Sequence, residues 1–291
     1  MNIIITIPAY NEEKTISSVI DEIRENIDQN KYNYKILVVN DGSKDKTAEI
    51  AKSKGAIVFS HKRNKGLAET FKTEMKKCLE LGADVIVHTD ADRQYMAKDI
   101  PKLLNKIEQG YDLVLGSRFK GTIESMPLIK RFGNKAFSKV LSFITKVKIT
   151  DGQTGFRAFT REIAELEIRS SYTYTQEQLI RAAKRKFKIG EVAIDARKTR
   201  KSRLMKNPLE YAVQSWITIL RVYRDYEPLK FFGIFGLIFF LGGIGIGVWL
   251  FSLFLINGRV GHIPLTILSM LLLLTGMQFF SFGFMADMNR K

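Results

Sequence analysis

At 291 residues the chain has room for one domain of about 200–250 residues and a small appendage. A single cysteine, Cys78, excludes an intrachain disulfide, and no zinc-finger, ribonucleoprotein or helix-turn-helix pattern supports a nucleic-acid partner for the net charge of +16. Anionic lipid and phosphorylated substrates remain as reasons for that charge, and the 45% hydrophobic content is unevenly spread, with two long apolar runs in the C-terminal part.

The N-terminal part alternates strand-like and helical patterns. Ile3–Ile7, Lys35–Val39, Ala56–Phe59, Val85–Thr89 and Leu113–Leu115 are β-rich apolar runs. Between them, Glu13–Ile27, Thr47–Lys54, Leu67–Leu81 and Ile100–Gln109 carry helical spacing, the last with Pro101 in its first turn. This order predicts a parallel sheet flanked by helices, in which ligands gather beyond the carboxyl ends of the strands. Cys78 sits on the apolar stripe of a helix and is expected to be a buried thiol. No signal peptide is expected, because the first apolar run is short and meets Pro8.

Residues 127–149 combine an apolar stripe (Leu128, Ile129, Phe132, Phe137, Leu141) with Lys130, Arg131, Lys135, Lys139 and Lys146. A basic amphipathic helix in a lipid interface is favoured there over a helix turned to the core. In 207–229, Trp216, Tyr211 and Tyr223 stand beside Arg221 and Arg224, a headgroup-level pattern. Phe231–Ile256 and Ile263–Met285 then run 26 and 23 residues without a charge, more than the ~20 needed to cross hydrocarbon. The cations flanking the runs predict that both ends are cytoplasmic and that Asn257–His262 lies outside.

The chemistry-bearing motifs fall at predicted strand ends. Asp41, after the second strand, is a carboxylate placed to accept hydrogen bonds from a nucleobase. Arg63-Asn64-Lys65-Gly66 suits a phosphate or is a plain surface loop. Asp90 and Asp92, two residues apart after an apolar strand, need a neutralising partner. A hard divalent cation bridging a diphosphate supplies one.

In series, Pro8-Ala9-Tyr10-Asn11-Glu12, Asn40-Asp41-Gly42-Ser43, Asn64-x-Gly66, Asp90-x-Asp92-x-Gln94, Gly116-Ser117-Arg118, Asp151-Gly152-Gln153-Thr154-Gly155-Phe156-Arg157 and Glu191-Val192 through Arg197 to Ser202-Arg203 resemble the family 2 glycosyltransferases. Within that family the chain looks like the branch of dolichol-phosphate mannose synthases and polyprenyl-phosphate glycosyltransferases. The resemblance implies an α/β, Rossmann-like nucleotide-diphospho-sugar transferase domain of the GT-A type over 1–205. A juxtamembrane segment, 206–230, and a two-span hairpin, 231–286, complete the chain.

It further implies inverting transfer of a hexose or N-acetylhexosamine from a GDP- or UDP-sugar to dolichyl or polyprenyl phosphate, with Mg2+ or Mn2+, at the cytoplasmic face of the cell membrane. Pro8, Tyr10, Glu12 and Asp41 would hold the nucleoside. Asp90, Asp92 and Gln94 would serve the metal and sugar, and Arg118 and Arg131 the lipid phosphate. Arg197, Ser202 and Arg203 would close over the diphosphate. The alternative within the same fold extends a lipid-linked sugar, with Asp151 or Glu177 as base. Asn40, Arg93 and Arg200 depart from the family's usual residues, and the Gln-x-x-Arg-Trp motif of processive synthases is missing. No histidine is expected at the centre, and a homo-oligomer is left open.

Overall fold

The computed structural model describes residues 1–168, 174–198, 217, 220–221, 223–259 and 261–289. They fall into two compact units, Met1–Ser215 and Trp216–Lys291.

The first unit is built on a seven-stranded sheet of order β3-β2-β1-β4-β6-β5-β7. Its strands are β1 (Asn2–Ala9), β2 (Asn33–Asn40), β3 (Ile57–Ser60), β4 (Val85–His88), β5 (Leu113–Ser117), β6 (Arg157–Thr160) and β7 (Ile189–Ala193). β1 is buried from Ile3 to Ala9, because a strand covered by helices on both faces reads as a continuous apolar run rather than an alternating one. Ile5 pairs with Ile36 of β2 and Val87 of β4, so the ends of these three strands share one edge. The helices α1 (Ile16–Asn26), α2 (Thr47–Ser53), α3 (Leu67–Glu80) and α4 (Ile100–Glu108) follow the first four strands as the spacing predicts. Cys78 is buried in α3.

The five predicted strands run in the same direction, as expected, but the sheet as a whole is mixed. β6 runs antiparallel between β4 and β5, with Arg157 opposite both His88 and Leu115. Its residue Arg157 is fully buried, and donates to the Thr175 carbonyl (3.0 Å) and Gln178 Oε1 (3.1 Å). Burial pulls its pKa down to about 10. Four residues led by a buried arginine carry no strand signature.

The basic stretch forms α5 (Leu128–Thr145), one face of which packs on the domain while apolar residues on the other are exposed. Asn134, Phe137, Ser138, Leu141 and Ile144 face the domain, while Leu128, Ile129, Phe132 and Phe143 are exposed, Phe132 at 72%. Two short helices, α6 (Arg161–Ala164) and α7 (Tyr174–Lys184), complete the described part of this unit.

In the second unit, α8 (Pro228–Asn257) and α9 (Ile263–Met288) are long and apolar enough to cross a membrane, and most of their apolar surface is uncovered. Gly258 ends α8 in the left-handed region at φ 66°. The helices meet along small residues seven apart: Gly236 and Gly243 on α8, and Ser269, Gly276 and Gly283 on α9. Ser269 donates to the Gly243 carbonyl at 2.7 Å. A Cβ at Gly276 would stand 2.9 Å from the Gly236 carbonyl oxygen. The glycines of α8 permit this approach and leave the helix unbroken.

Candidate functional site

The site lies beyond the ends of β1, β2, β4 and β5. After β1 the chain turns through Asn11 at φ 54°. The turn is fixed from the other side of the cleft: Asn11 N donates to Ser43 Oγ (2.9 Å), Lys44 N to Asn11 Oδ1 (2.9 Å) and Glu12 N to Thr47 Oγ1 (2.8 Å). Pro8 stays in β1 opposite Val39, and Tyr10 is exposed at the rim. Asp41 is buried at the end of β2, and its carboxylate is already engaged. It accepts from the Lys65 and Gly66 amides, both at 2.9 Å, and lies 2.7 Å from His61 Nδ1. The turn 63–66 thereby packs on Gly42, where a Cβ would meet the Arg63 carbonyl carbon at 2.6 Å. Asp41 thus braces the cleft wall.

Beyond β4, Asp90 is half-buried. Desolvation, reinforced by the Asp92 carboxylate, pushes its carboxyl up to about 6. Two carboxylates that raise each other's cost of ionisation form a candidate cation site. Asp92 Oδ1 accepts the Gln94 amide at 3.0 Å across Arg93, which is left-handed at φ 65°. Gln94 is 9% exposed, and its Nε2 is buried without a hydrogen-bond partner. Gly155 keeps the space in front of Asp90: a Cβ there would sit 3.2 Å from Oδ1 and 3.3 Å from Oδ2.

Beneath this pair stands a histidine that sequence reasoning missed. His88 Nδ1 donates to the Gly155 carbonyl at 2.8 Å, and its Nε2 lies 3.3 Å from Glu74 Oε2. Both side chains are fully buried, and Glu74 Oε1 accepts from Thr6 Oγ1 at 2.8 Å. A lone histidine inside the apolar run Val85–His88, just before two carboxylates, was the available signal.

At the end of β5, Arg118 grips Asp151 through two parallel hydrogen bonds, Nε to Oδ2 at 2.7 Å and Nη2 to Oδ1 at 2.9 Å. Glu191 of β7 fixes the Asp151 loop by accepting from the Thr150 amide (2.7 Å) and hydroxyl (2.9 Å). Lys130, named in the sequence only as one cation of the basic stretch, is half-buried in the first turn of α5. Burial and the Arg118 charge lower its pKa, and Asp92 counters them, so it shares a field with both. Arg131 is exposed beside it. Glu177 pairs with Arg181 at 2.7 Å. The Arg197 guanidinium lies on Glu22 of α1, at 3.0 and 3.1 Å. Ser202 and Arg203 lie outside the described residues.

Residues 4–166 match the family model described as glycosyl transferase family 2. The chain belongs to this glycosyltransferase family. Among relatives of this glycosyltransferase, a UDP-N-acetylglucosamine–dolichyl-phosphate N-acetylglucosaminyltransferase of Methanococcus voltae is 36% identical over 217 residues, covering 66% of this chain and 84% of that protein. A dolichyl-phosphate hexose transferase of Haloferax volcanii is 36% identical over 190 residues, covering 65% and 79%. The fold is that of glucosyl-3-phosphoglycerate synthase from Mycobacterium tuberculosis, solved with Mn2+, uridine diphosphate and glucosyl-3-phosphoglycerate. The two align with a TM-score of 0.60 at 22% identity over 76% of this chain and 78% of that one.

Proposed function

We propose that the chain transfers a hexose or N-acetylhexosamine from a GDP- or UDP-sugar to the phosphate of a dolichyl or polyprenyl lipid, inverting the anomeric carbon. The observation that carries this reading is that cations share a field with the carboxylate pair: Arg118 with Asp90, and Lys130, next to Arg131 in the chain, with Asp92. The dolichyl-phosphate substrates named for both relatives agree with it.

Among the described residues no group of three or more His, Cys, Asp or Glu side chains could hold a metal by itself. Asp90 and Asp92 nevertheless fit a divalent cation that completes its shell with diphosphate oxygens, as Mg2+ or Mn2+ does, and Gly155 leaves room for it. Such an ion would neutralise the leaving diphosphate. The Gln94 Nε2, buried without a hydrogen-bond partner, supports a role as donor to the sugar or diphosphate. Pro8, Tyr10, Glu12 and Asp41 serve the nucleoside in this reading, and Ser202 and Arg203 the diphosphate.

A phosphate monoester has a second pKa near ~6 and is an ionised nucleophile at neutral pH. The chain therefore needs to hold the acceptor, not to deprotonate it. Arg118 is already neutralised by Asp151, so most of the uncompensated pull falls to Lys130 and Arg131. Asp151 and Glu177, the candidate bases for the sugar-extending alternative, are each paired with an arginine. The exposed apolar residues of α5 and the two long helices support a multi-pass protein, and the cations flanking the apolar runs support a transferase unit on the cytoplasmic face.

The test is a panel of radiolabelled UDP- and GDP-sugars with bare dolichyl or polyprenyl phosphate, plus Mg2+ or Mn2+, read by lipid extraction. Label in a monoglycosyl phospholipid is expected for one donor. Label only on a lipid that already carries a sugar would establish the extending alternative instead.

A further inference from the structure

The segment Asp195–Arg197, just beyond β7, runs back along the loop that follows Asp92. The Asp195 amide donates to Asp99 Oδ2 (2.9 Å) while its carboxylate meets Lys98 Nζ (2.8 Å). Ala196 bridges Tyr95 in antiparallel fashion. The Arg197 amide donates to the Gln94 carbonyl (2.9 Å), and its Nη1 donates to the Arg93 carbonyl (3.2 Å). The same guanidinium is held by both oxygens of Glu22, whose Oε1 also accepts the Ala97 amide at 3.0 Å. Glu22 therefore grips the loop at two points, directly at Ala97 and through Arg197 at Arg93.

What lies between the two grips is the turn that aims Asp92 and Gln94. That turn contains Arg93 at φ 65°, a left-handed conformation that an L-residue keeps only where its surroundings impose it. Half-buried, charge-assisted hydrogen bonds from a planar fork suit that task. We infer that Arg197 and Glu22 are positioning residues, a clamp that holds the Asp92–Gln94 turn in its working shape, and that the guanidinium of Arg197 serves this turn and not the diphosphate. The inference rests on Asp90 and Asp92 being the donor-side carboxylates. It replaces the diphosphate role given to Arg197 by resemblance.

The experiment uses Glu22→Gln, Arg197→Gln and the double variant in the full chain. Amide hydrogen exchange is followed at Gln94 and Ala97 without metal or donor, and transfer kinetics are measured in parallel. Both amides are expected to exchange about tenfold faster in each single variant, with the double no faster than the faster single, as coupled partners behave. The metal concentration for half-maximal transfer should rise in all three, with donor KM changing less. If Arg197→Gln alone raises donor KM, while Glu22→Gln keeps wild-type exchange and transfer, Arg197 grips the diphosphate and the clamp is wrong. Wild-type protein inactive on every donor would instead remove the transferase reading, and the exchange result would stand by itself.

Discussion

Asp92 is the residue on which the proposed transfer chemistry turns. Its Oδ1 shapes the turn by accepting the Gln94 amide, which leaves Oδ2 for a ligand. Asp92→Asn keeps the turn and removes the charge. Transfer is expected to fall by about 10²–10³-fold, with an unchanged melting temperature. Near-normal turnover in the folded variant would remove Asp92 from the metal site. Gly155→Ala is the complementary change. The added methyl must share space with both Asp90 oxygens, at 3.2 and 3.3 Å. A displacement of a few tenths of an ångström should lower kcat by about tenfold, given that a 1 Å misplacement can cost about 10². Unchanged kcat and metal requirement would mean that Asp90 has slack to move. Neither Gly155 nor His88 could be assigned such a place from the chain's order. Each acts through a contact 67 residues away in sequence, the hydrogen bond from His88 Nδ1 to the Gly155 carbonyl.

At the scale of elements, what could be read was what has a period. β1 to β5 and the four helices between them announce themselves by apolar runs and helical spacing. β6 and β7 do not. β6 begins with a buried arginine whose partners come from α7, and β7 is a half-buried edge whose Glu191 is spent on the Asp151 loop. The family motifs fell where the sheet puts them, but their division of labour did not follow from position. Asp41, Arg118 and Arg197 each turned out to have a partner within the fold. On α5 the predicted basic and apolar faces both exist, and Arg131 is free of the buried face. Arg131→Ala is expected to raise KM for lipid phosphate about tenfold, through loss of a bidentate phosphate contact, with donor KM unchanged. A rise in donor KM alone would place Arg131 on the other substrate. In the hairpin, Gly276→Ile pushes a branched side chain against the Gly236 carbonyl and Phe240. Destabilisation of about 1–3 kcal/mol is expected in detergent unfolding, whereas Gly245→Ile, where a Cβ meets nothing within 4 Å, should be neutral.

At the scale of the whole molecule, the testable property is which side of the membrane each part occupies. The apolar helices return the chain to its starting side if both cross. A cysteine at Gly258 in the turn reports this, because that position is exposed and a Cβ there meets nothing within 4 Å. The native Cys78 should not interfere. It is fully buried, and desolvation together with the Glu74 carboxylate pushes its thiol far above the ordinary range, leaving little thiolate to react. Impermeant maleimide on intact cells is therefore expected to label Gly258→Cys and not the parent protein. Labelling that requires opening the membrane would mean that the turn never reaches the outside.

The antiparallel strand β6 also works as a ruler. Without it, β4 and β5 would be neighbours about 4.8 Å apart, and the carboxylates after one would crowd the arginine after the other. With β6 inserted, the two strand ends stand roughly 10 Å apart, a gap suited to two phosphate groups and the sugar passing between them. That gap is graduated in whole strands, because backbone hydrogen bonding admits no fraction of one. Adapting such a scaffold to a longer or shorter reacting pair thus cannot proceed by stretching the sheet. It must be done with the reach of side chains at the rim, where Lys130 and Arg131 stand.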